Sequence, residues 1–236
     1  MHPEVDVAPR VQLFATCLGD LIFPDAVADA ATLIRSCGVE VEFPSAQICC
    51  GQPAFNAGHR RAARRVAKTF ERAFSRSLPV VVPAGSCAAM IALRLPDLLG
   101  SQPYEVFELS VFLERASPPL SLVNQSAVVG YHASCHLLRE LHVDGPPQRL
   151  LERTGARVLP LRRPDLCCGF GGTFSVRQPE VSVAMADDKL ASASGVSALV
   201  TADPGCLMHL SSRSLRVRGP RVVHLATALA RGIEAA

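Results

Sequence analysis

Cysteines are the residues in this chain whose type and spacing indicate chemistry. The chain has nine of them, and four form two adjacent pairs, Cys49 with Cys50 and Cys167 with Cys168, each followed by glycine. Cytoplasmic thiols stay reduced, so without an export signal a disulfide framework is not expected. Soft thiolate ligands select zinc, cuprous copper or iron–sulfur clusters. The cysteines therefore predict a metal site or thiol chemistry.

These cysteines belong to a pattern that occurs twice in the chain. Four anchors recur in the same order at offsets of 116 to 119 residues: VQLFATC (11–17) with VGYHASC (129–135), ICCG (48–51) with LCCG (166–169), VPAGSC (82–87) with TADPGC (201–206), and VFELSVFL (106–113) with VVHLATAL (222–229). Such a series indicates a tandem duplication. We predict two cysteine-rich repeats, residues 1–118 and 119–236, that meet at the Pro118–Pro119 linker.

Each half alternates strand and helix patterns, which predicts an α/β fold with two small parallel sheets related by pseudo-twofold symmetry. The predicted strands are 11–15, 39–43, 79–82 and 104–107 in the first half, and 127–131, 157–159, 198–201 and 221–223 in the second. A helix is predicted over 57–76, with Asn56 as its N-cap.

The duplicated cysteines all follow predicted strands. Ligands of open α/β sheets gather at the carboxyl ends of strands, so distant cysteines can meet there. We expect two sets of four metal ligands: Cys17, Cys49, Cys50 and Cys87, and Cys135, Cys167, Cys168 and Cys206. The ninth cysteine, Cys37, aligns with Gly155 and receives no ligand role.

The adjacent pairs bear on the choice of metal. Neighbouring side chains diverge, so attachment to two atoms of a larger iron–sulfur cluster is easier than chelation of one zinc ion, whose sites usually use pairs two to four residues apart. Gly51, Gly169 and Gly171 permit close backbone approach, and their amides could hydrogen-bond cluster sulfurs. Zinc remains the alternative.

Composition narrows the function class. The chain has 236 residues, 49% hydrophobic and 19% charged, with a formal charge of +3, two Tyr and no Trp, which disfavours nucleic acid as a ligand. The longest apolar stretch, 78–93, is interrupted by prolines and too short to span a bilayer. Residues 1–10 contain Glu4 and Asp6 and no leader pattern, so we expect a cytoplasmic protein. No Walker loop, nucleophile elbow or dinucleotide fingerprint is present.

Several longer motifs resemble the cysteine-rich (CCG) domain family, and within it the lactate utilization protein A branch, related to the cysteine-rich subunit of heterodisulfide reductase and to the iron–sulfur subunit of glycolate oxidase. The motifs are FATCLGD (14–20), CCGQPAFNAG (49–58), PAGSC (83–87), YHASCHL (131–137) and CCGFGGTFSV (167–176). The wider family closes each motif with Cys-x-x-Cys, but here Met90 and His209 take the last position. An enlarged cluster is therefore not carried over.

The resemblance implies an iron–sulfur redox subunit of an oxidoreductase system that oxidises L-lactate to pyruvate, with a [4Fe–4S] cluster in each repeat. It also implies two partners, a ferredoxin-like iron–sulfur protein and a third lactate-utilization protein. The alternative interpretation of the cysteines is a zinc-binding scaffold that assembles partners without electron transfer.

Histidines and basic residues complete the set of candidates. His209 could replace the missing ligand, although a loop histidine satisfied by hydrogen bonds is the favoured interpretation. His132 and His136 flank Cys135 without counterparts beside Cys17, and they could donate to cluster sulfur or shuttle a proton. The predicted helix over 57–76 carries seven basic residues against Glu71, a pattern typical of a solvated face or of docking by an acidic electron-transfer partner.

Overall fold

The computed structural model describes residues 7–234, and its contacts divide the chain into two compact units, residues 1–119 and 120–236. Each unit is an α/β fold around a four-stranded parallel sheet, which confirms the predicted duplicated architecture. The assignment of residues 1–118 and 119–236 as the two cysteine-rich repeats stays a prediction. The leader prediction falls mainly on residues 1–6, outside the described residues.

The first unit contains four strands and seven α-helices among its described residues, with a π-helical stretch between two of the helices. In chain order they are β1 (Arg10–Leu13), α1 (Cys17–Ile22), α2 (Pro24–Ser36), β2 (Glu40–Glu42), α3 (Gln52–Asn56), α4 (Arg60–Ala73), β3 (Val80–Val82), α5 (Gly85–Ala89), the π-helical stretch Met90–Arg94, α6 (Leu95–Leu99), β4 (Val106–Glu108) and α7 (Leu109–Ala116).

The second unit repeats the plan with six α-helices in the part of the chain that the structure describes. In chain order its elements are β5 (Val128–His132), α8 (Cys135–Arg139), α9 (Gly145–Arg153), β6 (Arg157–Leu159), α10 (Thr173–Arg177), α11 (Pro179–Ser192), β7 (Ala198–Thr201), α12 (Pro204–Val217), β8 (Arg221–His224) and α13 (Leu225–Ala230).

The two sheets have the same strand order, β2-β1-β3-β4 and β6-β5-β7-β8. β1 pairs in parallel with β3 through Gln12 and Val80, and β5 pairs in parallel with β7 through Val129 and Ala198. The inner strands β3 and β7 are buried along their whole length, as expected for apolar runs covered by helices on both faces. The carboxyl ends of the two central strands therefore lie side by side in each unit.

The helix predicted over 57–76 is corrected by the structure. The helix in this region, α4, is shorter and spans Arg60–Ala73, and Asn56 is the last residue of a separate helix, α3, rather than an N-cap. Pro53 suits the first turn of α3, and Gly58, with φ of 83°, changes the chain direction before α4 begins. The apolar spacing seen in the sequence lies within α4, and the glycine sets where that helix starts.

The core of the first unit is aromatic behind the cysteine loops. Phe70 stacks on Phe74 with a centroid distance of 4.2 Å, and Phe14 meets the edge of Phe70 at 5.4 Å. Tyr104 contacts the same ring at 5.3 Å.

Within residues 7–234, no helix is long and apolar enough to cross a membrane.

Candidate metal centres

The first unit brings its four predicted ligands together at the carboxyl edge of its sheet. Cys17 is the first residue of α1, the Cys49–Cys50 pair lies in the loop before α3, and Cys87 lies in α5. The Sγ atoms of Cys17 and Cys49 are 3.8 Å apart, and those of Cys50 and Cys87 are 3.2 Å apart. None of the four is in a disulfide.

The second unit repeats this arrangement. Cys135 begins α8, the pair Cys167 and Cys168 precedes α10, and Cys206 lies in the first turn of α12. Cys168 and Cys206 place their Sγ atoms 3.1 Å apart, and Cys135 hydrogen-bonds to Cys167. The structure therefore brings each predicted set together, while metal binding by them stays a prediction.

Tight turns fix the two cysteine pairs. Gly51 and Gly169 have φ of 88° and 90°, a left-handed conformation that glycine adopts without steric cost. Their N–H groups donate to the Sγ of Cys49 at 3.4 Å and of Cys167 at 3.3 Å. Gly171, with φ of 52°, lies where an added Cβ would meet the Phe174 side chain at 2.9 Å. The cofactor-binding role predicted for these three glycines remains untested.

Each site contains one strongly acidic thiol. Hydrogen bonds from Cys17 and Cys50, with the Gly51 N–H, lower the pKa of Cys49 to about 3. The same pattern around Cys167, with bonds from the Cys135 and Cys168 thiols, lowers its pKa to about 2. These interactions favour the thiolate form at Cys49 and Cys167, and the remaining thiols would release protons on binding a metal. This donor set fits zinc or an iron–sulfur cluster.

The three candidate histidines have different surroundings. His209 points to α11, where its Nε2 lies 3.1 Å from the Ser182 hydroxyl, so it does not take the place of the missing ligand. His136 places Nδ1 3.6 Å from the Sγ of Cys135. His132, at the end of β5, is fully buried, and burial lowers its pKa to about 3. Its ring reaches the cysteines of the second unit.

Lys189 is a functional candidate that the sequence analysis missed. It is fully buried on α11, and its Nζ donates to the carbonyls of Arg163 and Pro164 in the loop before the cysteine pair. Burial lowers its pKa to about 8, against an electrostatic pull from the nearby thiols of the second unit. Alignment of the two repeats could have revealed this residue, because it places Lys189 at the position of Phe70, a buried core residue of the first unit.

A cleft in the first unit opens onto two of its cysteines. The cleft has a volume of about 330 Å³ and is lined by residues that include Cys17 and Cys49. Apolar side chains form its rim, with Leu21 79% exposed and Phe43 and Ile48 each 51% exposed. In the second unit, Leu161 replaces Phe43 and is buried.

The sequence profile described as "Cysteine-rich domain" (CCG) matches residues 11–92 and again residues 129–211. The chain belongs to the cysteine-rich (CCG) domain family. The two matched segments contain all eight clustered cysteines, which agrees with the resemblance noted from the motifs.

Curated relatives match over almost the whole chain. A protein named "Lactate utilization protein A" from an Exiguobacterium species is 38% identical over 97% of this chain and 100% of its own length. One of the same name from Halalkalibacterium halodurans is 38% identical over 93% of this chain and 96% of its own. Among solved structures, an aspartate racemase from Picrophilus torridus aligns with 94% of this chain and 90% of its own at TM-score 0.40 and 10% identity, a similarity too weak to bear on function.

Proposed function

We propose that this protein is an iron–sulfur redox subunit of a multi-protein system that oxidises L-lactate to pyruvate in the cytoplasm. The observation that carries the proposal is that each unit gathers four cysteines, two of which form an adjacent Cys-Cys pair, with Sγ atoms 3.1 to 3.8 Å apart in the measured contacts. The name shared by relatives that are 35–38% identical over nearly their whole length supports the pathway. The eight clustered cysteines would hold one [4Fe–4S] cluster in each unit.

Such a cluster accepts and releases one electron at a time. Oxidation of a 2-hydroxy acid to a 2-oxo acid releases two electrons and two protons, and the carbon-bound hydrogen commonly leaves as hydride, which a flavin or nicotinamide accepts and an iron–sulfur cluster does not. The sequence contains no nucleotide fingerprint that would hold a flavin or nicotinamide in this chain. A ferredoxin-like protein and a third lactate-utilization protein are the proposed partners, and lactate is the substrate of the assembly.

The exposed face of α4 supports docking of an acidic partner. Arg61, Arg64 and Arg65 are exposed on this helix, while Ala63 and Val66 pack it against Gly51 beside the cysteine pair. The helix therefore lies against the first cysteine loop, and its basic face is exposed on the side turned away from that contact. The equivalent helix α11 carries exposed or half-buried acids instead, Glu180, Asp187 and Asp188.

Charge reversal tests this docking. Substituting Arg61, Arg64 and Arg65 by Glu should slow partner-dependent lactate oxidation at low ionic strength and have a smaller effect at high salt, because salt screens exposed charges. Metal content should not change. Arg216→Glu on α12 is the matched control, since it reverses an exposed charge far along the chain from either cysteine pair. Unchanged turnover of the triple variant at low salt would mean that the basic face of α4 is only solvated and binds no partner.

Metal analysis tests the redox proposal itself. The full chain, purified without oxygen, should be coloured and contain iron and acid-labile sulfide in proportion to two clusters. Colourless protein with stoichiometric zinc and no sulfide would contradict the proposal.

One distance favours a second candidate, a zinc-binding scaffold that assembles partners. Zinc bound by thiolates at about 2.3 Å in a tetrahedron has sulfurs about 3.8 Å apart, and the Sγ atoms of Cys17 and Cys49 are 3.8 Å apart. The same purification separates the candidates, because zinc is colourless and requires no sulfide.

A further inference from the structure

The two units differ in the residues directly behind their cysteines. Alignment of the repeats places His132, Lys189 and Thr201 of the second unit at the positions of Phe14, Phe70 and Val82 in the first. In the first unit these side chains are buried and apolar, and two of them form the aromatic core. In the second unit all three are equally buried but polar. Duplication supplied one framework, and at these positions only the second unit carries donors.

His132 reaches the clustered thiols of its unit. One of its ring nitrogens and the Sγ atoms of Cys168 and Cys206 all lie within 4.8 Å of one another, and all three residues are buried. Nitrogen and sulfur ligands on one tetrahedral zinc or iron atom are about 3.6 to 3.8 Å apart. A shift of about 1 Å, within the range of side-chain adjustment, would bring these three donors onto one metal atom. Among the described residues, no other group of histidine, cysteine or acidic side chains meets this criterion.

The unsatisfied polar atoms of the same site point to a ligand. Both ring nitrogens of His132 lack a hydrogen-bond partner among the described residues, and so does the Oγ1 of Thr201. Buried polar atoms are normally paired, and leaving one unpaired is costly. His132 and Thr201 are register partners on the adjacent strands β5 and β7. A metal-ligating histidine usually donates its second N–H to a neighbouring acceptor, and the Thr201 hydroxyl is placed for that role.

We infer that the second unit binds its metal through an imidazole nitrogen of His132 together with the thiolates of Cys168 and Cys206. This inference rests on the proposed function in one respect, that the cysteine sites hold metal. Phe14 gives the first unit no equivalent donor, so the two centres differ in coordination: sulfur alone in the first, nitrogen with sulfur in the second. Imidazole and thiolate together suit zinc or iron. On a single ion all three donors would bind the same metal, whereas on an iron–sulfur cluster the imidazole and the two thiolates would bind different iron atoms.

X-ray absorption at the metal edge tests the inference on the purified full chain. If the protein holds zinc, its absorption edge should show about half a nitrogen per metal besides sulfur, because one centre has none. If it holds iron–sulfur clusters, pulsed EPR of the reduced protein should show the ¹⁴N coupling of one bound imidazole. His132→Gln should remove the nitrogen contribution or reduce total metal per chain about twofold. His136→Gln and His209→Gln are the matched controls and should keep both.

The outcomes separate this inference from the proposed function. Sulfur-only coordination in wild-type protein that does hold metal would overturn the inference and leave the redox proposal standing. Loss of the nitrogen signal in His136→Gln or His209→Gln, with retention in His132→Gln, would also overturn it. Zinc without iron or sulfide, but with a nitrogen ligand that depends on His132, would support the inference while contradicting the redox proposal. The wild-type measurement decides the case even if His132→Gln fails to fold.

Discussion

Alanine substituted at Gly169 should cost much more stability than alanine at Gly51, although the two glycines are equivalent in the repeats. Both have a positive φ near 90°, so both substitutions carry a backbone strain of about 1 to 2 kcal/mol. At Gly169 a new Cβ would also lie 2.4 Å from the carbonyl oxygen of Ser182. At Gly51 it would lie 3.5 Å from the equivalent oxygen, that of Ala63.

The difference has a visible cause. The Ser182 hydroxyl donates to the Gly169 carbonyl at 2.8 Å and holds α11 against the cysteine loop, whereas alanine at the equivalent position cannot. Relief of the backbone clash adds about 1 to 3 kcal/mol. We therefore expect about 2 to 5 kcal/mol lost for Gly169→Ala and about 1 to 2 kcal/mol for Gly51→Ala.

Amide hydrogen exchange measured by mass spectrometry can follow each unit separately. Gly169→Ala should speed exchange in the β5 and β7 peptides and leave those of β1 and β3 unchanged, while Gly51→Ala should do the reverse to a smaller degree. Gly195→Ala is the control for strain without a clash, because its φ is 86° and its added Cβ would meet nothing within 4 Å. Equal losses at Gly169 and Gly51 would refute the steric argument.

Three further predictions concern the sites and the core. Cys50→Ser and Cys168→Ser should each remove about half of the bound metal, as measured by elemental analysis; complete loss from either variant would mean that the two sites bind cooperatively. Lys189→Met should abolish a gain of stability that the wild-type, metal-free protein shows as pH rises. The pKa of Lys189 is lowered from 10.5 to about 8 in the folded protein, so between these values the folded chain binds fewer protons than the unfolded chain. The free energy of unfolding therefore rises by at most about 3 kcal/mol across this range. Urea titrations of both proteins at pH 7 and pH 10.5 check this, with parallel profiles as the contrary result. Phe70→Ala should cost about 3 to 5 kcal/mol in the first unit, since the ring is 1% exposed and packed among three other rings; a loss below about 1 kcal/mol in hydrogen exchange would contradict this.

Much of the fold was predictable because the duplication supplies the pattern twice. The strands at 157–159 and 198–201 begin and end as predicted, and the others agree within a few residues. Buried β-branched runs such as Val80–Val82 carry their own signal. The start of α4 was predicted at residue 57 but lies at Arg60, because the positive φ of Gly58 keeps the chain out of the helix at that point.

The gathering of the cysteines followed from topology, since each clustered cysteine succeeds a strand of a parallel sheet. The roles of the surrounding residues did not follow from local sequence. Lys189 lies in an ordinary helical segment, and only packing reveals that its ammonium group is buried beside the second cysteine loop. His209 sits at a ligand-like spacing from Cys206, yet a hydrogen bond to Ser182 turns it elsewhere. Both outcomes depend on contacts between residues more than twenty positions apart.

The opposite charges of α4 and α11 have a consequence for how many partners one chain can hold. Two identical halves would offer a partner protein two equivalent binding sites, and the partner would bind both with the same affinity. Arg61 and Arg65 on one helix and Glu180 and Asp188 on the other remove that degeneracy. An acidic electron-transfer partner that docks on α4 as proposed should therefore bind the first half alone, giving a complex of one partner per chain. The second half would then be available to a basic protein.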